Sequence, residues 1–242
     1  MSVLLLAGTA EAKRIAWGLA DSGLNVVASL AGATRDPEPL PVPTRIGGFG
    51  GEEGFRAYLA ENAVTAVVDA THPFANRITA RTARVCADLR VPYLQVVRPA
   101  WRPEEGDRWI MIDTAEEAAS HIPQGDCVFL ATGRQTIPQF ANLEGRRILV
   151  RVIDPPTEPF PFEGGEFVIG RPPFPVAREM ALFEALGVQW LVVKNAGGQG
   201  GQAKLDAARA LGLPVVMINR VSVPDAPFVE TAEAAVAWVK SL

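Results

Sequence analysis

Short apolar runs alternate with helical patterns along the whole chain, and this alternation constrains the fold more than any other feature. The runs are continuously apolar, which is typical of strands covered on both faces. Strands are predicted at residues 3–6, 25–30, 66–69, 93–97, 109–112, 128–131, 148–152, 167–169, 191–194 and 215–218. Helices are predicted at residues 10–21, 54–61, 74–89, 115–121, 176–186, 203–211 and 232–241. The pattern predicts a doubly wound α/β fold with mainly parallel sheets.

A segment with the composition of a connector, residues 98–106, divides this pattern. We therefore predict an N-terminal domain at residues 1–97 and a C-terminal domain at residues 98–242. Two segments, 109–119 and 228–235, resemble each other, since each predicts a strand, a threonine cap and a helix with glutamate in its first turn. We interpret them as similar edge elements of the sheets.

Composition excludes several classes of protein. The 242 residues are 48% hydrophobic, enough for a large core, and the net charge of -4 gives no basic surface for nucleic acid. No apolar run approaches the roughly 20 residues that span a bilayer, so we expect a cytoplasmic protein that binds no membrane. Cys86 and Cys127 lie far apart in apolar surroundings and are predicted to be reduced core residues. With only two histidines, no dedicated metal site is expected.

Asp69, Thr71 and His72 directly follow the strand predicted at residues 66–69. Pro73 disfavours helix at His72 and so holds the imidazole on an extended corner. Ligands of open α/β sheets bind at the carboxyl ends of the strands, which makes Thr71 and His72 candidate site residues. The alternative is that Asp69 and Thr71 only cap the helix predicted to begin near residue 74.

The first strand ends in the turn Gly8-Thr9-Ala10, directly before a helix. Glycine lets a phosphate approach the backbone, the N–H groups of the helix favour an anion, and Thr9 adds a hydroxyl donor. Lys13 and Arg14 lie in the first turns of this helix, where cations oppose the helix dipole. They face an anionic ligand in one interpretation and form an ordinary exposed basic pair in the other.

The second half contains a similar turn and a glycine-rich loop. Thr132 and Gly133 follow a predicted strand, with Arg134 close behind, so two such turns facing one another could hold a dinucleotide or a polyanionic substrate. Lys194 and Asn195 end another strand and lead into four glycines at residues 197–201, with Lys204 just after. A flexible loop without a ligand would have the same composition.

Motifs of other enzyme classes are missing from the sequence. There is no Gly-Lys-Ser/Thr of a P-loop, no Gly-x-Ser-x-Gly of a hydrolase, and no Tyr-x-x-x-Lys of a short-chain dehydrogenase.

Taken together, these segments resemble the precorrin-6A reductase family, nicotinamide-dependent enzymes of cobalamin ring synthesis. The matching segments are residues 5–12, 46–51, 69–75, 98–101, 129–134, 194–195 with 197–198, and 204–209. The resemblance implies two Rossmann-like domains with the active site in the cleft between them. It also implies reduction of a double bond in precorrin-6A to give precorrin-6B, with NADPH as hydride donor.

The resemblance gives the candidate residues their roles. The cofactor would contact Gly8, Thr9, Ala10, Ser29, Thr71, Thr132 and Gly133. The substrate carries many carboxylates, and it would contact Arg14, Arg134, Lys194, Asn195 and Lys204. His72 and Lys194 are the catalytic candidates, with no obligatory acid, because solvent can supply the proton. Other enzymes of the cobalamin pathway are possible partners.

Three alternatives stay open at this point. Ser29 and Arg35 follow the second strand, where a 2′-phosphate would be recognised, but the residues alone are compatible with NADPH or NADH. A reductase of another small molecule would share this fold and would need a closed pocket in place of a wide cleft. A non-enzymatic dinucleotide sensor would respond by conformational coupling in place of turnover.

Overall fold

The computed structural model describes residues 1–32, 35, 37–221 and 224–242. The strands are β1 (Ser2–Leu6), β2 (Asn25–Leu30), β3 (Thr44–Ile46), β4 (Ala66–Asp69), β5 (Tyr93–Val96), β6 (Arg108–Ile112), β7 (Cys127–Leu130), β8 (Arg147–Val152), β9 (Gly165–Ile169), β10 (Trp190–Lys194), β11 (Pro214–Ile218) and β12 (Phe228–Val229). The α-helices are α1 (Ala10–Ala20), α2 (Gly51–Glu61), α3 (Asn76–Leu89), α4 (Ala118–His121), α5 (Val176–Leu186), α6 (Gln202–Ala210) and α7 (Ala232–Lys240). Short 3₁₀ segments lie at Ala115–Glu117 and Gln199–Gly201, and a longer one at Arg134–Leu143.

Within the described residues, the strands form two six-stranded parallel sheets with the same topology. The first has the order β3-β2-β1-β4-β5-β12 and the second β9-β8-β7-β10-β11-β6. The first is the 3-2-1-4-5-6 order of a Rossmann fold, and the second has the same spatial arrangement except that β6, its earliest strand in sequence, occupies the sixth position. The α/β prediction with two mainly parallel Rossmann-like sheets is therefore confirmed.

The sixth strand of each sheet comes from an unexpected part of the chain. β6 follows the first five strands in sequence yet forms the edge of the second sheet, and β12 follows the second sheet yet pairs with β5. The compact units are consequently Met1–Pro99 with Ser222–Leu242, and Ala100–Val221. This division differs from the predicted domains at 1–97 and 98–242, because the last strand and helix return to the first unit. The interpretation of segments 109–119 and 228–235 as edge elements is confirmed.

Alternate residues of β1 supply the two faces of the first sheet. Val3 and Leu5 are buried with Ile15 and Leu19 of α1 and with α7. Leu4 and Leu6 point to the other face, into a cluster that α2 and α3 cover. Burial on both faces explains why the sequence of β1 is continuously apolar.

The second sheet has an aromatic core on its α5–α6 face. Phe129 of β7 and Phe183 of α5 are fully buried, with ring centres 5.1 Å apart. Leu205 of α6 packs in the same cluster. The cysteine prediction is also confirmed, since both thiols are buried and free. Among the described residues, no helix is long and apolar enough to cross a membrane.

Candidate functional site at the sheet edges

A cavity of about 280 Å³ opens at the carboxyl edge of the first sheet. From β1 the chain continues to β2 and β3 on one side, and from the adjacent β4 it continues to β5 on the other side. The connections therefore diverge between β1 and β4. Such a switch point leaves a crevice in which ligands of α/β sheets bind. Of the predicted site residues, Gly8, Ser29, Thr71 and His72 line the cavity.

The turn from β1 to α1 has the backbone shape that the sequence predicts. Gly8 has a φ of +125°, which disfavours any residue with a Cβ, and a Cβ placed there would meet no atom within 4 Å. Thr9 is the N-cap of α1, and its Oγ1 accepts a hydrogen bond from the Ala12 N–H at 3.1 Å. The same hydroxyl donates to the Ala70 carbonyl at 2.7 Å. The Thr9 proton expected to contact a phosphate is therefore engaged, and the N–H groups of Ala10 and Glu11 at the start of α1 are the available donors.

Asp69 organises the corner that carries Thr71 and His72. Its side chain is only 1% exposed, and Oδ1 accepts from the Thr71 hydroxyl at 2.6 Å and from the Thr71 N–H at 3.0 Å. Oδ2 accepts from the Tyr93 hydroxyl at 3.1 Å. Burial and the nearby carboxylate raise the pKa of Tyr93, which keeps it a donor to Asp69.

The alternative interpretation of Asp69 and Thr71 as helix caps is wrong. Helix α3 begins at Asn76, and its N-cap, Ala75, has no side-chain hydrogen bond. The carboxylate of Asp69 instead fixes the corner that precedes the helix. His72 is exposed on this corner, and its Nδ1 accepts from the Phe74 N–H at 3.3 Å.

The cations in the first turns of α1 have carboxylate partners at the surface. Lys13 Nζ lies 2.5 Å from Glu38. Arg14 lies 3.6 Å from Glu11 and 4.0 Å from Glu233, with 58% of its side chain exposed. These acids account for cations at a position the helix dipole disfavours, so the placement of Lys13 and Arg14 does not require an anionic ligand.

Two arginines beside the cavity were not predicted as site residues. Arg45 is the middle residue of β3, and Arg81 lies on the face of α3 that carries Ile78 and continues from the N-cap Ala75. The spacing 75, 78, 81 is that of one helix face, a signal available in the sequence. Arg45 directly precedes the matched segment 46–51, but nothing in the sequence indicates its neighbours in space.

At the edge of the second sheet, Asn195 holds the segment around Trp101. Its Oδ1 accepts from the Trp101 N–H at 2.8 Å, and its Nδ2 donates to the Trp101 carbonyl at 3.0 Å. The amide is 5% exposed. Each of its polar atoms makes one bond to Trp101, which leaves the second Nδ2 proton for the predicted substrate contact.

Two lysines lie at the same edge in poorly solvated positions. Lys194 is the last residue of β10, and burial lowers its pKa. Lys204 Nζ donates to the Gly201 carbonyl at 2.9 Å and lies 5.8 Å from the centre of the Trp101 ring. Burial lowers the pKa of Lys204 to about 8, with Arg151 adding to the effect and Glu179 opposing it.

The turn at Thr132-Gly133 resembles the first turn only in part. Gly133 has a φ of +85°, but a 3₁₀ helix with Pro138 inside it follows, where α1 follows Gly8. Thr132 Oγ1 is buried and lies 2.9 Å from the Thr136 hydroxyl, which can donate to it. Arg134, at the start of this segment, is exposed.

A buried ion pair lies near the carboxyl end of β8. Arg151 donates to both carboxylate oxygens of Glu179, at 2.5 and 2.8 Å, and the side chains are 10% and 2% exposed. The guanidinium carbon also lies 4.8 Å from the centre of the Phe129 ring. Among the described residues, no three His, Cys, Asp or Glu side chains are grouped so as to hold a metal ion.

Comparison with known proteins gives matches over almost the full length of the chain. The family model described as precorrin-6x reductase CbiJ/CobK matches residues 2–240. The precorrin-6A reductase of Rhodobacter capsulatus is 42% identical over 238 residues, which cover 98% of this chain and 95% of the relative. That of Mycobacterium tuberculosis H37Rv is 44% identical over 243 residues, covering 99% and 98%.

A solved structure described as CobK precorrin-6A reductase has the same fold. It superposes with a TM-score of 0.95 at 41% identity and covers 100% of this chain and 97% of its own. The exchanged sixth strands, the glycine turn and the Asp69 corner thus occur in a chain that matches this family from end to end. This protein belongs to the precorrin-6x reductase family.

Proposed function

We propose that this chain is an NADPH-dependent precorrin-6A reductase of cobalamin biosynthesis. The reaction would reduce one double bond of the precorrin-6A macrocycle and yield precorrin-6B. Membership of the family implies an oxidoreductase with a nicotinamide cofactor. The structural observation that carries the proposal is the cavity at the first sheet edge, because Rossmann folds bind dinucleotides at that position.

The residues at this edge fit the phosphate groups of a dinucleotide. Gly8 leaves its backbone open to a close approach, and the N-terminus of α1 favours an anion. Thr9 positions this turn through its bonds to Ala12 and Ala70. We assign the pyrophosphate to Gly8, Thr9 and Ala10, the adenosine ribose to Ser29, and other parts of the cofactor to Thr71, Thr132 and Gly133.

Cations at the sheet edges suit a substrate with many carboxylates. We assign substrate carboxylates to Arg14, Arg134, Lys194, Asn195 and Lys204. Lys194 and Lys204 are the strongest of these candidates, since both are partly desolvated and a charged hydrogen bond gains strength where water is excluded. Arg14 is the weakest, because two carboxylates already lie beside it.

The chain's contribution to the reaction is alignment and exclusion of water. When bound, the cofactor supplies the hydride. His72 and Lys194 are assigned to the reacting region, and neither is an obligatory acid, because solvent can protonate the product carbon. The exposure of the His72 corner gives water access to that residue.

The test is anaerobic incubation of the purified protein with precorrin-6A and NADPH. We expect loss of the reduced-nicotinamide absorbance together with a product that carries two additional hydrogens. NADH and cobalt-precorrin-6A, run in parallel, distinguish the cofactor and the substrate form. Dinucleotide binding without turnover of either tetrapyrrole would contradict the proposed substrate.

A further inference from the structure

Trp101 is fastened to the second sheet edge through both its backbone and its side chain. Its N–H donates to the Asn195 amide oxygen at 2.8 Å, and its carbonyl accepts from the Asn195 Nδ2 at 3.0 Å. The indole Nε1 donates to the Gly198 carbonyl at 2.9 Å. The side chain also packs against the cluster that contains Leu205 of α6. The ring is therefore held at a fixed place beside the glycine-rich loop at residues 197–201.

The indole and the Lys204 ammonium meet over Gly201. A Cβ on Gly201 would lie 2.7 Å from Cη2 of Trp101 and 3.0 Å from Nζ of Lys204. The φ of Gly201 is −114°, which any residue can adopt, so glycine is required here for space and not for backbone conformation. A larger residue at this position would have to displace the ring or the ammonium.

The same contacts orient the Lys204 side chain. Its Nζ donates to the Gly201 carbonyl at 2.9 Å and lies 5.8 Å from the centre of the Trp101 ring, within the range of a cation–π contact. An ammonium has three donors, and Gly201 is the acceptor that the described residues provide for one of them. A lysine that is ordered before its ligand arrives loses less entropy on binding.

The charges around Lys204 do not neutralise it. Glu179 of α5 and Arg151 of β8 act on it in opposite directions, and these two groups are paired with each other. Among the described residues, Lys204 forms no ion pair with a carboxylate. An ammonium that is poorly solvated and lacks a counter-charge is stabilised by the carboxylate of a ligand.

We propose that Trp101 is a positioning residue for substrate binding, because its indole holds the glycine-rich loop and thereby fixes the Lys204 ammonium toward a substrate carboxylate. This inference rests on the proposed function, which assigns Lys204 to the substrate. It adds the residue that orients this lysine. Trp101 acts through Lys204 and needs no contact of its own with the substrate.

A double-mutant cycle on the KM for precorrin-6A tests this dependence. Asn195 bonds only the backbone of Trp101, so Trp101→Leu leaves that bracket in place. Trp101→Leu and Lys204→Ala should each raise KM about tenfold, the scale of one charged hydrogen bond, and change kcat less than about twofold. The double variant should match Lys204→Ala, because the indole has no further effect once the ammonium is gone. An unchanged KM in Trp101→Leu, or a double variant in which the two increases multiply, overturns the proposal.

Gly201→Ala tests the same contact with Trp101 and Lys204 both present, and it decides the matter if Trp101→Leu does not fold. Gly200→Ala is the matched control, since a Cβ there meets no atom within 4 Å and its φ lies outside the left-handed region. The KM for precorrin-6A should rise about tenfold in Gly201→Ala, for the same lost bond, and stay unchanged in Gly200→Ala. Equal KM values in these two variants would contradict the proposal.

Chemical labelling examines Lys204 without any substrate. Acetic anhydride acylates only the free amine, so the pH dependence of labelling, followed by peptide mass spectrometry, reports the pKa of Lys204, with the exposed Lys240 as internal reference. Burial lowers the pKa of Lys204 to about 8, which sets the expected midpoint in the wild type. In Trp101→Leu water reaches the ammonium, and the midpoint should rise by about one pH unit or more.

The labelling separates a failure of this inference from a failure of the proposed function. Normal turnover of precorrin-6A together with an unmoved midpoint in Trp101→Leu overturns the positioning role and leaves the proposed function intact. A raised midpoint in a protein that does not reduce precorrin-6A sinks the proposed substrate and leaves the control of Lys204 by Trp101 standing.

Discussion

The two sheets share one strand order but carry opposite electrostatic arrangements at their carboxyl edges. In the second, the buried guanidinium of Arg151 forms an ion pair with Glu179 through both of its Nη atoms, and only Nε lacks a hydrogen-bond partner. In the first, Arg81 is partly buried and forms no ion pair within 4.0 Å among the described residues, and Glu52 and Asp69 act on it only from farther away. A compensated cation serves the fold, whereas an uncompensated one beside a cavity is available to a ligand. Identical topology therefore does not imply identical function at equivalent edges.

The turns after β1 and β7, which occupy equivalent positions in the two sheets, also differ. Gly8 leads into an eleven-residue α-helix with a threonine cap. Gly133 leads into a 3₁₀ segment that has an internal proline and a kink at Phe140. Only the first turn places an aligned set of peptide dipoles behind an anion. Phosphate binding is accordingly expected to depend more on the first sheet.

The largest effect is expected from breaking the compensated pair. Glu179→Gln leaves Arg151 buried without a counter-charge, and this should cost about 3–5 kcal/mol of unfolding free energy. Arg81→Gln removes a charge that is in no ion pair and should cost less than about 1 kcal/mol, the usual scale of a weak hydrogen bond. Urea unfolding followed by tryptophan fluorescence measures both.

Glu166→Gln is the control for this comparison. Glu166 pairs with Arg147 in the same unit, but both side chains are about half exposed, so little stability should be lost. If Glu179→Gln were as mild as Glu166→Gln, the distinction between a paired and an unpaired edge cation would fail.

The next effect concerns the pH dependence of substrate binding at the second edge. Lys204 binds a carboxylate only as the ammonium form, and its pKa is lowered to about 8. The KM for precorrin-6A should therefore rise, by about tenfold for the loss of one charged hydrogen bond, as the pH increases through 8. In Lys204→Arg the charge persists, and this part of the rise should disappear. An identical pH profile in the wild type and the arginine variant would exclude Lys204 as a substrate cation.

A smaller effect is expected at the cap of α1. Thr9→Val removes the bonds to Ala12 and Ala70 and should cost about 1–2 kcal/mol of stability, the range for a lost N-cap. Thr231→Val removes the equivalent cap of α7, away from the cavity, and is the matched control. NADPH affinity should change little in either variant, because the Thr9 proton is engaged with Ala70. A tenfold loss of affinity in a stable Thr9→Val protein would show that the hydroxyl contacts the phosphate.

Local pattern was sufficient to predict most of the two sheets. β2 and β4 have the predicted bounds, since each is a continuous apolar run with a clear end. β3 was not predicted, because three residues in the sequence Thr-Arg-Ile carry too little periodicity. The placement of β12 depends on pairing with β5, more than a hundred residues earlier, and no local signal encodes such a contact.

The residues of the candidate site also divide into those that local sequence predicts and those that it does not. Gly8, Thr71 and His72 follow strands directly, so strand ends alone indicate them. Arg45 and Arg81 come together through the packing of β3, α2 and α3 around Phe49, which only the fold reveals. The Thr9 hydroxyl donates to Ala70, on a distant segment of the chain, and no local sequence signal indicates this bond.

The smallest effect is expected at His72, on the corner that follows β4. Its imidazole is exposed, and its Nδ1 already accepts a hydrogen bond from Phe74. An obligatory acid would supply about 100-fold or more in rate. Since solvent reaches this corner and can protonate the product carbon, His72→Asn should lower kcat only a few fold and leave the affinities for both ligands unchanged. Solvent isotope effects measured with both proteins should also agree, because the proton source is the same. A 100-fold loss of kcat with intact binding would assign His72 the acid role and transfer the proton step from solvent to the first sheet edge.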